Sequence, residues 1–245
     1  MVSCVTEQQI AAFRAQGFVH IPGVISPDEA AHFYQAALDC THRNPPLSSR
    51  PIFDQHVNVW THDDAMRALT LHPNLAAAAK ALNGTALRLW HDQILIKRPH
   101  NNAATEFHQD QPYWPHATSP NPISAWIALC DVPVEKGCMT FLPGSFLRTD
   151  LPAQNLADAR SLFEIEPEFA WFPRVTVPLK AGDCTFHHGR CAHMATPNLT
   201  DDPRVAHIVI FMEPTTTYTG RGHIVTDPLG LTIGEPITGA LFPDV

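Results

Sequence analysis

Apolar positions along this chain keep helical spacing up to about residue 85 and strand-like alternation after it. Thr6 followed by Gln9 makes a capping box, Ile10, Ala11 and Phe13 supply an apolar stripe, and Gly17 closes a short helix. Phe18–Ile21 reads as a strand. Ser26, Pro27 and Glu29 open a second helix, with proline at its first position, that runs through Ala30, Phe33, Tyr34 and Leu38. Residues 45–51 read as a loop, 52–60 as a strand, and the alanine-rich 72–82 as a helix stopped by Asn83 and Gly84. Residues 86–98 then alternate as a long strand, and Asn101 and Asn102 mark the loop after it. Strands are expected at 123–132, 138–142, 174–179, 182–187 and Arg204–Met212, with a turn at Pro143, Gly144 and Ser145 and a helix at 155–165.

Short strands at this spacing, flanked by N-terminal helices, predict a mainly β protein with flanking α-helices, a double-stranded β-helix or jelly roll of the cupin kind. We expect one domain over residues 1–245: a helix-rich part (1–85) packing on the barrel, a jelly-roll core (86–212) and a C-terminal tail (213–245). Twenty-three prolines against 12 glycines agree, because proline is excluded from helix interiors and central strands and so marks many short elements. A hydrophobic fraction of 44% with only 16% charged residues fits a sizeable buried core.

Charge narrows the function classes. With 16 basic and 24 acidic residues the formal charge is −8, which argues against nucleic acid and anionic membranes as partners. No basic-then-apolar leader and no membrane-length apolar run is present, so a cytoplasmic protein, monomeric or a homodimer, is expected. The six cysteines Cys4, Cys40, Cys130, Cys138, Cys184 and Cys191 form no C-x-x-C pair and read as buried thiols.

His108 and Asp110 are the first chemical signal. On an extended strand, residues two apart share a face, so an imidazole and a carboxylate can reach one metal ion. A second histidine would complete the facial triad of a non-haem Fe(II) oxygenase. His187, His188, His193, His207 and His223 lie downstream. Of these, His193 follows the break at Gly189 and is placed near the barrel mouth, and Arg204 follows it by eleven residues at the start of the next strand. Two adjacent antiparallel strands would then bring a metal ligand and a guanidinium into one cavity, where the guanidinium can grip a carboxylate through two parallel hydrogen bonds.

The set His108-x-Asp110, Trp126, Gly182-Asp183, His188-Gly189, His193, Pro197-Asn198 and Arg204 resembles the phytanoyl-CoA dioxygenase family of Fe(II)- and 2-oxoglutarate-dependent oxygenases. The resemblance implies that His108, Asp110 and His193 hold Fe(2+), that Arg204 binds the distal carboxylate of 2-oxoglutarate, and that Gln93 and Trp126 line the co-substrate pocket. It also implies O2 as co-substrate, ascorbate as a supporting reductant, and oxidation of a C–H bond of a small molecule with release of succinate and CO2. Hydroxylation is the usual outcome, with desaturation or ring closure as branches; the carboxylate of Asp110 disfavours halogenation. A cupin-like binding protein without turnover is the alternative. The doubled His187-His188 departs from the family's aromatic-His pair. Strand alternation expects one of the two to face the packed core or a loop and the other to point outward.

Tyr113, Trp114 and His116, in the Pro-bounded loop after Asp110, are the first substrate-contact candidates, with Arg190 beside them. Trp171, Phe172, Met194, Tyr218 and Arg221 are further candidates, and Lys97 reads as a solvated strand end.

Overall fold

The helical part forms where its local signals place it. In the computed structural model, which describes residues 5–44, 46, 48–49, 52–116 and 119–245, α1 spans Glu7–Gln16. Its capping box is reciprocal: the Thr6 hydroxyl accepts from the Gln9 N–H at 3.2 Å, and the Gln9 side-chain Oε1 accepts from the Thr6 N–H at 2.9 Å. Gly17 ends the helix at φ 83°, and a side chain there would collide with the Phe146 ring. β1 is Phe18–Ile21, and α2 (Pro27–Arg43) opens on the Ser26/Glu29 box. Of the expected loop at 45–51, residues 45, 47, 50 and 51 lie outside the described residues, as does Cys4, while β2 (Ser48–Ser49) pairs with β3 (Asp54–Val57). The strand expected to reach residue 60 stops early, because Asn58 takes a left-handed conformation (φ 55°) and starts the 3-10 turn Val59–Thr61. An unforeseen helix α3 (Asp64–Thr70) follows, capped by the Asp63 carboxylate, and then α4 (Pro73–Asn83).

The β part comprises β4 (Arg88–Lys97), β5 (Thr105–His108), β6 (Ile123–Ala128) and β7 (Met139–Phe141). After α5 (Ser161–Ile165) come β8 (Val175–Val177), β9 (Cys184–His188), β10 (His193–Ala195) and β11 (Arg204–Met212). Only the end of the helix expected at 155–165 forms. The Asn155 and Asp158 side chains accept from the backbone N–H groups of Ala157 and Arg160 and hold the preceding residues in turns.

The strands build two antiparallel sheets, one in the order β1-β9-β6-β11-β4-β3-β2 and one in the order β5-β10-β7-β8. The helices cover the outer face of the large sheet: Phe33, Leu75 and Leu82 share a core with Ile94, Ile127, Val209 and Phe211. Its inner face looks at the small sheet, with Trp126, Ile208 and Ile210 in one cluster with Met139 and Phe141. This is the expected jelly roll. β11 pairs Ile210 with His91 but Phe211 with Leu89, so Trp90 is an extra residue in β4, and the bulge turns both Trp90 and His91 to the inner side. The five described cysteines are free thiols, and among the described residues no helix is long and apolar enough to cross a membrane.

Candidate active site

β5 and β10 are neighbours in the small sheet, and their register sets His108 directly opposite His193, with Phe141 of β7 on the other side of His193. Asp110 reaches the same point by a different route from the one expected. β5 ends at His108, and Asp110 sits in helical conformation (φ −75°, ψ −44°) ahead of the 3-10 turn Gln111–Tyr113. Gln109 makes that turn rigid: its backbone N–H donates to Gln154 Oε1, and its buried amide donates to the carbonyls of Ser145, Arg148 and Arg190.

Both histidines contact a backbone carbonyl two residues back through Nδ1, His108 that of Glu106 at 2.7 Å and His193 that of Cys191 at 2.9 Å. Nδ1 therefore carries the proton, and each Nε2 presents a lone pair. Those lone pairs face Asp110 Oδ1 at 3.4 and 3.8 Å. Burial holds His193 down at about 3, so it stands neutral. Burial pushes the Asp110 carboxyl up, and only positive charge at the positions of His193, His108 and His187 pulls it well below the usual carboxylate range, so its ionised form also calls for a cation at this point. Three acceptors converging in a buried site repel one another unless a cation lies among them. All three ligand atoms lie within 4.8 Å of one another. Bonds of about 2.1 Å to an octahedral ion would place neighbouring ligands about 3 Å apart. The donor set fits a divalent metal, with each imidazole already oriented by its carbonyl.

His187 and His188 are both buried, which corrects the expectation that one points outward. His188 Nε2 meets the Pro120 carbonyl at 3.1 Å and its Nδ1 accepts from the Arg190 N–H at 2.9 Å, so it fastens a loop. His187 faces the cavity, with Nε2 3.3 Å from Asp110 Oδ2, and thereby separates the two carboxylate oxygens: Oδ2 toward His187, Oδ1 toward His108 and His193.

Arg204 is 1% exposed. It comes from the large sheet, while His193 comes from the small one. The two do not lie on adjacent strands but face each other across the sandwich into one cavity. Its guanidinium lies over the Trp126 ring at 5.3 Å and, among the described residues, donates one long bond to the Leu95 carbonyl (3.4 Å) while Nε has no partner. Among the described residues no carboxylate pairs with it, and burial pulls it down to about 10. A buried cation this poorly matched is a socket for an anion. Gln93 lines the same cavity and accepts from Gln55 Nε2 at 2.6 Å. Lys97, directly opposite Arg204 on β4, is wholly buried rather than solvated. Burial, and then Arg204, push it down to about 6, but its Nζ donates to three carbonyls, those of Ala103, Ala195 and Thr196, at 2.9 to 3.2 Å. Three acceptors match the three N–H bonds of an ammonium.

The cavity, about 430 Å³, runs from Arg204 past the triad to Trp114 and the tail residues 221–224. Tyr113 and Trp114 line it. His116 does not: it is fully buried, 4.7 Å from the Trp90 ring and 5.2 Å from Trp114. Arg190 is also elsewhere, donating to the Phe146 and Pro120 carbonyls and to Gln111 Oε1, so it ties loops together. Phe172 and Met194 pack in a separate cluster under α5, Trp171 is 90% exposed, and Tyr218 packs against the inner core. Arg221 does line the cavity. Sequence reasoning missed His91 as a lining residue and weighed His187 and His223 only as alternatives to His193 for the third ligand; the one available signal for His91, an unusual count of 15 histidines, does not say which face each occupies.

A family model described as Phytanoyl-CoA dioxygenase (PhyH) matches residues 13–206. Phytanoyl-CoA dioxygenase domain-containing protein 1 of Mus musculus is 26% identical over 168 residues, covering 66% of this chain and 57% of the relative. Peroxisomal phytanoyl-CoA dioxygenase of Mus musculus is 25% identical over 154 residues, covering 60% and 46%. The chain spans about half the length of these curated relatives. Among solved structures, the non-heme alpha ketoglutarate dependent carbocyclase SnoK from nogalamycin biosynthesis superposes with a TM-score of 0.90 at 35% identity, covering 100% of this chain and 99% of that one. The epimerase SnoN, solved with Fe3+, alpha ketoglutarate and nogalamycin RO, gives 0.87 at 36% identity, covering 97% of each.

Proposed function

The chain belongs to the phytanoyl-CoA dioxygenase family, and from that premise we propose that it is an Fe(II)- and 2-oxoglutarate-dependent dioxygenase. It oxidises an unactivated C–H bond of a small organic molecule, with O2 as co-substrate and succinate and CO2 as co-products. The observation that carries this reading is the pairing, within one cavity, of three converging acceptors that call for a cation with a buried guanidinium that calls for an anion. His108, Asp110 and His193 would hold the iron on one side, leaving the cavity side for co-substrates. When bound, the iron would supply the open positions and redox mediation through which O2 takes two electrons from 2-oxoglutarate and two from the substrate. Arg204 binds the distal carboxylate of 2-oxoglutarate, and Trp126 and Gln93 flank it. His187 fixes the orientation of Asp110. The core packed around the site keeps bulk water out, which strengthens each of these polar contacts.

We take residues 1–245 as one catalytic unit, because the tail segment 221–224 completes the wall of a cavity built by the jelly roll. Similar structures include a carbocyclase and an epimerase, so oxidation on this scaffold need not end in a hydroxyl group. The non-catalytic alternative is not favoured, since all three candidate ligands and Arg204 are in place. The test is anaerobic titration of the full chain with Fe(II) and then 2-oxoglutarate, followed by its metal-to-ligand absorption, together with succinate release on adding O2. The expected result is a band and succinate in the wild type and neither in His108→Ala; a wild-type protein that binds no keto acid would overturn the proposal.

A further inference from the structure

The cavity has a second end that the iron and the keto acid leave free. Along the inner face of β4 the side chains run Lys97, Leu95, Gln93, His91, and the Arg204 guanidinium reaches the Leu95 carbonyl, so His91 stands two inward-facing positions beyond it along the strand. The bulge at Trp90 aims His91 into the cavity there, where its ring lies 5.5 Å from that of His223 on the tail. His91 is 3% exposed, and among the described residues its Nδ1 has no partner and no hydrogen bond holds the ring. His223 is held in place, its N–H donating to Asp227 Oδ1 at 2.8 Å and its ring 5.2 Å from Trp90. Its Nδ1 accepts from the Val225 N–H at 3.2 Å, which puts the ring proton on Nε2 and makes it a donor. Burial holds His91 well below its ordinary value and His223 at about 4, so both stand as neutral imidazoles.

The surrounding wall is Tyr113, Trp114 and Ile224. Asp110 is the one carboxylate among the described lining residues, and the triad engages it. Arg221 stands exposed at the rim, where water screens its charge. An anionic group carried down to the imidazoles would lose its hydration and meet no buried counter-charge, because the guanidinium nearest His223, that of Arg221, is exposed and screened. A hydroxyl or carbonyl oxygen would meet ready-made hydrogen-bonding partners, and an aromatic or alicyclic ring would fit the walls. We infer that the primary substrate is an uncharged ring compound bearing hydroxyl or carbonyl oxygens, and that His91 and His223 select it by hydrogen bonding to one of them. This rests on the oxygenase reading, which assigns the Arg204 end to 2-oxoglutarate.

Three probes of one ring system test it: naphthalene, 2-naphthol and 2-naphthoate, measured by equilibrium dialysis against the full chain loaded anaerobically with Fe(II) and 2-oxoglutarate. The wild type binds 2-naphthol about five-fold more tightly than naphthalene, as one or two neutral hydrogen bonds would give, and more tightly than 2-naphthoate. In His91→Leu/His223→Leu the naphthol preference falls to parity while naphthalene binding is retained. Tighter binding of 2-naphthoate, failure of all three probes to bind, or a naphthol preference that survives the double substitution overturns the inference. Should the double variant not fold, His223→Leu alone, on the half-buried tail, halves the preference or refutes the assignment. The iron and keto-acid absorption band is read in the same samples. Its absence with the ranking intact condemns the oxygenase reading, and its presence with the ranking reversed condemns only the substrate class.

Discussion

Arg204→Met should move stability and co-substrate affinity in opposite directions, because the guanidinium is costly to the fold and useful only to a ligand. Burial lowers Arg204 from 12.5 to about 10. At 1.36 kcal/mol per pH unit, that displacement costs the folded protein about 3 kcal/mol. A base whose folded pKa lies below its unfolded one destabilises at every pH below the folded value, and the cost fades only as pH rises from about 10 to 12.5. Methionine keeps most of the packing on Trp126 and gives up a cation–π contact of about 0.5–2 kcal/mol, which leaves a net gain of about 1–2 kcal/mol. For a chain this long the gain is a rise in Tm of about 2–8 °C. The same substitution strands the distal carboxylate of 2-oxoglutarate in a buried site, at about 3–5 kcal/mol, or at least about 100-fold in affinity. Thermal melts without ligand and anaerobic calorimetry with 2-oxoglutarate measure the two terms separately. A fall in Tm of several degrees with unchanged 2-oxoglutarate affinity would make Arg204 a structural residue and refute the reasoning.

Lys97→Met should do the reverse of Arg204→Met although the two residues face each other across β4 and β11: three carbonyls lose their donor, and urea unfolding should report a loss of about 2–4 kcal/mol. His187→Phe removes the contact that orients Asp110, so anaerobic titration should show Fe(II) affinity reduced about 10–100-fold; an unchanged affinity would mean that the ring merely fills space. Fe(II) at about 100 times its Kd should raise stability by about 2.7 kcal/mol in anaerobic melts, and His193→Ala or Asp110→Ala should abolish the rise. A chelator should return the wild type to its metal-free Tm.

What could be read in the order of residues was whatever neighbours in the chain decide. The capping boxes at Thr6 and Ser26 close over three residues, so both helix starts were legible, as were β4 and β11 from nine or ten consecutive residues of β-prone pattern. The His108-x-Asp110 pair and the eleven-residue interval from His193 to Arg204 pointed to the site, because ligand types and spacing survive without coordinates. Elements whose form depends on local competition were misjudged: Asn155 and Asp158 turned a helical stretch into turns, and Asn58 ended a strand. Sheet membership was decided only in three dimensions. β10 and β11 follow one another in the chain yet lie in opposite sheets, so His193 and Arg204 meet across the sandwich and not side by side. That same packing buried Lys97 among carbonyls, His116 between tryptophans and Arg190 among loops, and the bulge at Trp90 brought His91 to the cavity. Burial and side-chain facing belong to contacts between segments tens of residues apart, and local pattern carries no energy for those contacts until the sheets close on each other.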